Sequence, residues 1–365
     1  MTSQTESQAP PCNIASTRRR LRQALGSPGP GLWFTLDESR RYRSQEEVKT
    51  RYEVSRTNRN SRSRSVPYVF DSRPGRGHRA ARCGRPVSLL SVGAVVPWAE
   101  AGVGVVATQA MVDPAYGPRG LELMRAGSNA PETLSKLAAA DPGREVRQVA
   151  MVDSEGRAAA HTGSSTIPEA GHIVGDGFSV QANMMLRNTV WAAMADGYRS
   201  TRGELVDRLL AALDAAEAEG GDIRGRQSAA LLIVAAKSSG RPWSDKLFDI
   251  RVDDTREPLA ELRRLAGISR AFQHLRLAQA ALARGDSRVM NTEFEQAARF
   301  GGDNPEMRFW QAVALMQCER INEGLAILAN ISASDANWRE LALRLPDYML
   351  PRNREELFGR IRKLR

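Results

Sequence analysis

The chain has 365 residues, 42% of them apolar, and a formal net charge of +10. That length suits two domains, and no apolar run approaches the roughly 20 residues of a membrane-spanning helix. Three scattered cysteines, Cys12, Cys83 and Cys318, argue against a disulfide framework and show no metal-ligand spacing, so a cytoplasmic protein without metal or cofactor is expected.

The charge is unevenly spread. Residues 1–88 carry 18 basic and seven acidic side chains, a net of +11, whereas the rest carries 34 basic and 35 acidic, a net of −1. Residues 1–87 are rich in Arg, Ser, Pro and Gly and have no sustained helical or strand period. Segments such as RTNRNSRSRS bury too little apolar surface to offset their ordering entropy, so a disordered tail is expected. An arm held on nucleic acid by phosphate contacts is a lesser reading. A transit peptide, which shares the Arg/Ser bias, is another.

Two short apolar runs follow, around Val92 to Val96 and Val103 to Val106, and both read as buried strands. Asp113-Pro114 and Tyr116-Gly117 mark a turn, and Pro118 opens a helix that Gly127 closes. Asn129 caps a second helix, which stops at Asp141-Pro142-Gly143. Val146 to Asp153 and Arg157 to Thr162 form a hairpin across a Ser154-Glu155-Gly156 turn. His172 to Asn183 folds back at Gly175 to Gly177, and Thr189 to Tyr198 is a short helix. Leu205, Leu209 and Leu213 stripe a longer helix that ends at Gly220-Gly221. Ser228 to Ala236 and Leu247 to Val252 pair as strands, and Glu257 to Leu265 closes the domain as a helix.

After Gly267 only helical patterns remain: Ala271 to Arg284, Val289 to Phe300, Glu306 to Gln317 and Asn322 to Ala329. Gly285-Asp286 and Cys318-Glu319 lie 33 residues apart in comparable positions between helices. That spacing resembles tetratricopeptide-type hairpins. Strands that come in hairpins, separated by helices, indicate an α+β fold.

The run VGAVVPWAEAGVGVVATQA followed by YGPRGLELMRAG resembles the domain of unknown function 1028 family. The likeness continues through DPGREVRQVAMVDSEGRAAAHTG, VQANMM, GGDIRGRQSAALLIV and FDIRVDD, from about Leu89 to Leu265. It implies a four-layer αββα sandwich of the N-terminal-nucleophile hydrolase kind, and amide-bond hydrolysis. Three segments result: a tail to residue 87, the sandwich over 88–267 and a helical region over 268–365. Members of the family begin on a strand that carries the nucleophile. Here Arg/Gly/Pro-rich sequence stands in that place, so low activity is expected and the stretch before Ser88 reads as replaced or read in another frame.

In such enzymes one residue supplies both nucleophile and free α-amine base. Thr2 is the residue that Met removal would expose, but no strand pattern follows it. The nucleophile is therefore unidentified. Supporting candidates are Thr108 and Gln109 at a strand end, and His161, whose ordinary pKa near 6.5 suits proton transfer. Substrate-binding candidates are Asp113 and Tyr116 in the loop, Gln181 and Asn183 on one strand face, and Asp222, Arg224 and Gln227 before a buried strand. Each also has a structural reading: turn and strand-end hydrogen bonds, a buried amide pair, or an Asp–Arg fork that fixes the loop. A small amide or peptide-like substrate is expected. The alternative is a non-catalytic scaffold that engages a protein partner through the sandwich and the helical region, with residues 268–365 open to a protein partner or a second copy.

Overall fold

The computed structural model describes residues 68–71, 83–84, 90–350 and 353–364. The chain is a mixed α/β protein whose described residues divide into two compact units, one up to Ala266 and one from Gly267 onward. The transit-peptide, nucleic-acid-arm and Thr2 readings fall outside the described residues.

The first unit holds two antiparallel sheets. Its strands are β1 (Tyr68–Asp71), β2 (Cys83–Gly84), β3 (Pro97–Glu100), β4 (Gly104–Ala110), β5 (Arg147–Asp153), β6 (Ala158–Thr162), β7 (Gly171–Gly175), β8 (Phe178–Ala182), β9 (Ala229–Val234) and β10 (Lys246–Val252). One sheet has the order β10-β9-β2-β1-β8-β7, the other β3-β4-β5-β6. Two short strands, β1 and β2, thus lie within the Arg-rich stretch and sit between β8 and β9.

Strand alternation assigns each face. On β8 and β9, Phe178, Val180, Ala182, Ala229, Leu231 and Ile233 pack with α3 (Val190–Ser200) and α4 (Leu205–Ala218) through Met194, Tyr198, Leu209 and Leu213. On β4 and β5, Val106, Val149 and Met151 pack with α1 (Tyr116–Arg125) and α2 (Ala130–Ala140) through Leu121, Met124 and Leu134. The opposite faces meet each other: Val105 and Ala107 of β4, Ala150 and Val152 of β5 and Ala230 of β9 share one core cluster. The layers therefore run helix pair, sheet, sheet, helix pair.

Three local expectations are corrected. The run at Val92 is a 3-10 turn over Val92–Ala94, not a strand; the strand is β3, which starts at Pro97. β3 is an edge strand, where a missing N–H leaves no ladder bond unmade. The helix at Pro118 begins two residues earlier, at Tyr116. First-turn N–H groups have no intrahelical partner, so a proline there removes nothing. The two helices expected at Glu257 to Leu265 and Ala271 to Arg284 are one: α6 runs from Pro258 to Arg284, with a four-residue turn of helix, α5 (Pro242–Asp245), before it. Gly267 instead allows close approach, since a Cβ there would sit 3.0 Å from the Phe300 carbonyl oxygen.

The second unit continues with α7 (Ser287–Gly301), α8 (Pro305–Gln317), α9 (Ile321–Ser334), α10 (Asn337–Leu343) and α11 (Arg354–Arg362). Asp286 caps α7 by accepting from Val289 N, and Asn304 caps α8 by accepting from Glu306 N. Ala278 and Ala281 pack with Met290, Phe294 and Ala314. Phe309, Val313 and Met316 pack with Leu325, Leu328 and Ile331. None of the described helices is long and apolar enough to cross a membrane.

Candidate functional site

Where the two sheets face each other, four amide side chains interrupt the apolar core. Gln109 of β4, Gln148 of β5, and Gln181 of β8 with Asn183 just beyond it are each at most 1% exposed. Gln109 and Gln148 are directly opposed in the β4–β5 register. Gln181 reaches them from the other sheet.

Their hydrogen bonds form one directed chain. Gln181 Nε2 donates to Gln109 Oε1 at 3.2 Å. Gln109 Nε2 donates to Gln148 Oε1, which also accepts from Asn183 Nδ2 at 2.9 Å. Gln148 Nε2 in turn faces three acceptors: Thr162 Oγ1 at 2.9 Å, Ala182 O at 2.9 Å and Gly171 O at 3.1 Å. Thr162 Oγ1 then meets His172 Nδ1 at 2.8 Å. Each donor points the same way, an arrangement in which successive bonds polarise one another. Burial, then the neighbouring His161, hold the His172 imidazole below its ordinary pKa. Tyr68 of β1 pairs with Gln181, so the first described strand residue adjoins the chain's interior end. Gln181 Oε1 has no hydrogen-bond partner among the described residues.

The other candidates fall elsewhere. Thr108 points to the opposite face of β4 from Gln109, fully buried, with its hydroxyl unpartnered among the described residues. His161 Nε2 donates to the Arg144 carbonyl at 2.8 Å, which aims the ring away from the amides. Asp113 and Tyr116 line a separate surface cleft of about 220 Å³ with Arg119 and Asp141. Asp222 is a structural fork: it accepts from Arg224 N and Nε, both at 2.9 Å, and from Arg224 Nη2 at 2.6 Å. Gln227 is half-buried and donates to Asp254 at 3.1 Å.

Of the sequence candidates, then, the structure brings together Gln109, Gln181 and Asn183. It adds three that sequence reasoning missed: Gln148, Thr162 and His172. The signal for Gln148 was available, because a polar residue heads the alternation Gln148, Ala150, Val152 on the face that Gln109 shares. Thr162 and His172 stand on different hairpins, and nothing in their spacing links them.

In the cleft, Asp141 accepts from Gly143 N at 2.7 Å, Arg147 Nε at 3.0 Å and the Tyr116 hydroxyl at 3.1 Å. Burial alone would raise its pKa, but these donors and the Arg147 charge outweigh it and hold the carboxyl below the usual range. Tyr116 is pushed up, by burial first and then by Asp141. A depressed carboxyl contributes stability above its unfolded pKa and loses it as pH falls through the folded one. Asp141→Ala is therefore expected to cost about 2 kcal/mol at neutral pH. In urea titrations the difference from wild type should shrink steadily below about pH 4.

Among the described residues no group of three or more His, Cys, Asp or Glu is placed to hold a metal ion. A family model described as a family of unknown function, DUF1028, matches residues 79–262, half of the chain. The protein belongs to that family, and the match starts upstream of Leu89, so it includes β2. Protein SPO2555 from Silicibacter pomeroyi, described with the same family, has a crystal structure that is similar at 28% identity and a TM-score of 0.49, over 55% of this chain and 88% of that one. No curated protein matches.

Proposed function

We propose that this protein hydrolyses the amide bond of a small amide or peptide-like substrate, as an N-terminal-nucleophile hydrolase-like protein. The observation that carries the reading is the directed amide chain between the sheets, which starts beside β1 and ends at a hydroxyl–imidazole pair. Uncharged donors fixed in a dry interior cost no reorganisation when charge develops on a reacting acyl group. The helix–sheet–sheet–helix layering supports the αββα sandwich that goes with this chemistry. Asp113 and Tyr116, in their own cleft, are candidates for contacts with a more distant part of the substrate. The helical unit is a tetratricopeptide-like surface for a protein partner or a second copy.

A second reading, a non-catalytic binding protein, is favoured by the closure of the four amides: at 1% exposure or less they would clamp the sheets rather than touch a ligand. Amine release from a panel of N-acyl amides by the full chain separates the two. Turnover above the buffer rate is expected; buffer-level release across uncharged and charged acyl groups would favour the clamp.

A further inference from the structure

The hydroxyl–imidazole pair has a geometry of its own. Thr162 ends β6 and His172 begins β7, and these are edge strands, one of each sheet. The pair thus stands at one side of the two-sheet stack, and both residues are partly exposed, unlike the amides behind them. Gln148 Nε2 donates into Thr162 Oγ1 at 2.9 Å, so one lone pair of that oxygen is occupied and its proton is free to point at His172 Nδ1, 2.8 Å away. This fits the tautomer with hydrogen on Nε2, in which Nδ1 is the acceptor.

We infer that Thr162 is a nucleophile and His172 its general base, forming an acyl-transfer site at the partly exposed side where β6 meets β7, for an amide with an uncharged acyl group. A nucleophile within hydrogen-bond reach of a neutral imidazole is the arrangement that activates a hydroxyl. Burial, which holds the His172 pKa down, favours the neutral ring that can accept a proton. Gln148 is a positioning residue: its amide holds Oγ1 and strengthens as that oxygen gains negative charge. Val174, two residues along the same face of β7 and 44% exposed, offers the acyl group an apolar neighbour.

The step balances within the pair and its substrate. The Thr162 proton passes to His172 as Oγ1 bonds to the acyl carbon. The imidazolium returns that proton to the departing amine as the C–N bond breaks. Water, deprotonated by the same imidazole, then cleaves the ester, and Oγ1 recovers a proton as the acid leaves. No oxidant, metal or substrate other than water enters.

The inference rests on the amide-hydrolysis reading but moves the nucleophile from the chain's N-terminus to β6. The test uses the full chain and a β-lactone carrying an alkyl side chain, which acylates nucleophilic hydroxyls, followed by peptide mapping. One label on the peptide holding Thr162 is expected. Thr162→Ser should keep at least a third of the labelling rate, while Thr162→Val and His172→Gln should each lower it 100-fold or more. Thermal melting of each variant checks folding, and a variant melting with wild type must still lose the label. Label on the N-terminal residue alone would overturn the inference and leave the amide-hydrolysis reading standing. No label on either would overturn both.

Discussion

Gln148→Ala is expected to cost about 4 kcal/mol, the largest single loss in the first unit's polar interior. The side chain is fully buried and central to the network. Its removal strands Gln109 Nε2 as a donor, takes an acceptor from Asn183 Nδ2, and takes a donor from Thr162, Gly171 O and Ala182 O. Leaving buried polar groups unsatisfied costs about 1–3 kcal/mol each before relaxation. The void is a further, smaller loss. Urea unfolding of the full chain measures it. A loss under about 1 kcal/mol would mean that the neighbouring amides re-pair without Gln148, and the directed chain would not describe the resting protein.

Asp153→Ala comes next, at about 3 kcal/mol. Asp153 ends β5, its side chain only 4% exposed, and it ties two distant elements together. Oδ2 accepts from Ala130 N, the first residue of α2, at 3.0 Å and from Arg157 Nε at 2.8 Å. Oδ1 accepts from Glu155 N at 2.9 Å and Arg157 N at 3.1 Å, closing the hairpin turn. Burial alone would raise the carboxyl's pKa, but the Ala130 N–H, Arg157 and the turn N–H groups together hold it below the ordinary range. A buried carboxylate also favours the positive end of α2. By the linkage used for Asp141, the contribution is present above about pH 4 and fades as pH falls through the folded pKa. Asp153→Asn should lose less than Ala, because its amide oxygen still serves one of the two donor pairs. Equal losses for Asn and Ala would place the whole effect in the charge.

Much of the architecture was legible because it follows from period and punctuation. The Leu205, Leu209, Leu213 stripe gave α4, the capped Asn129 gave α2, and the turns at Gly156 and Gly177 placed two hairpins. Errors came where one residue type serves two purposes. Val92 and Val96 are buried as strand residues would be, yet Val92 opens a 3-10 turn and Val96 follows it. Gly267 lies between two patterns that read as separate helices but sits inside α6, where its small size matters rather than its freedom. The site was half legible. Gln181 and Asn183 declared a shared face through their spacing, and Gln109 ended a strand. That Gln109 meets them depends on how two sheets stack, and that Thr162 meets His172 depends on two edge strands coming side by side. Neither follows from local sequence. Asp222 and Arg224, two residues apart, were equally compatible with a fork or a ligand site until the hydrogen bonds showed the fork.

The central claim is that acyl chemistry takes place in this sandwich. The most direct measurement is the intact mass of the full chain, quenched in acid at intervals after mixing with an activated acyl ester. The expected result is a transient gain of one acyl group per chain that decays as the ester is consumed. An unchanged mass at every time point, in protein shown to be folded by circular dichroism, would contradict the amide-hydrolase account and leave the amide chain as a clamp between two sheets.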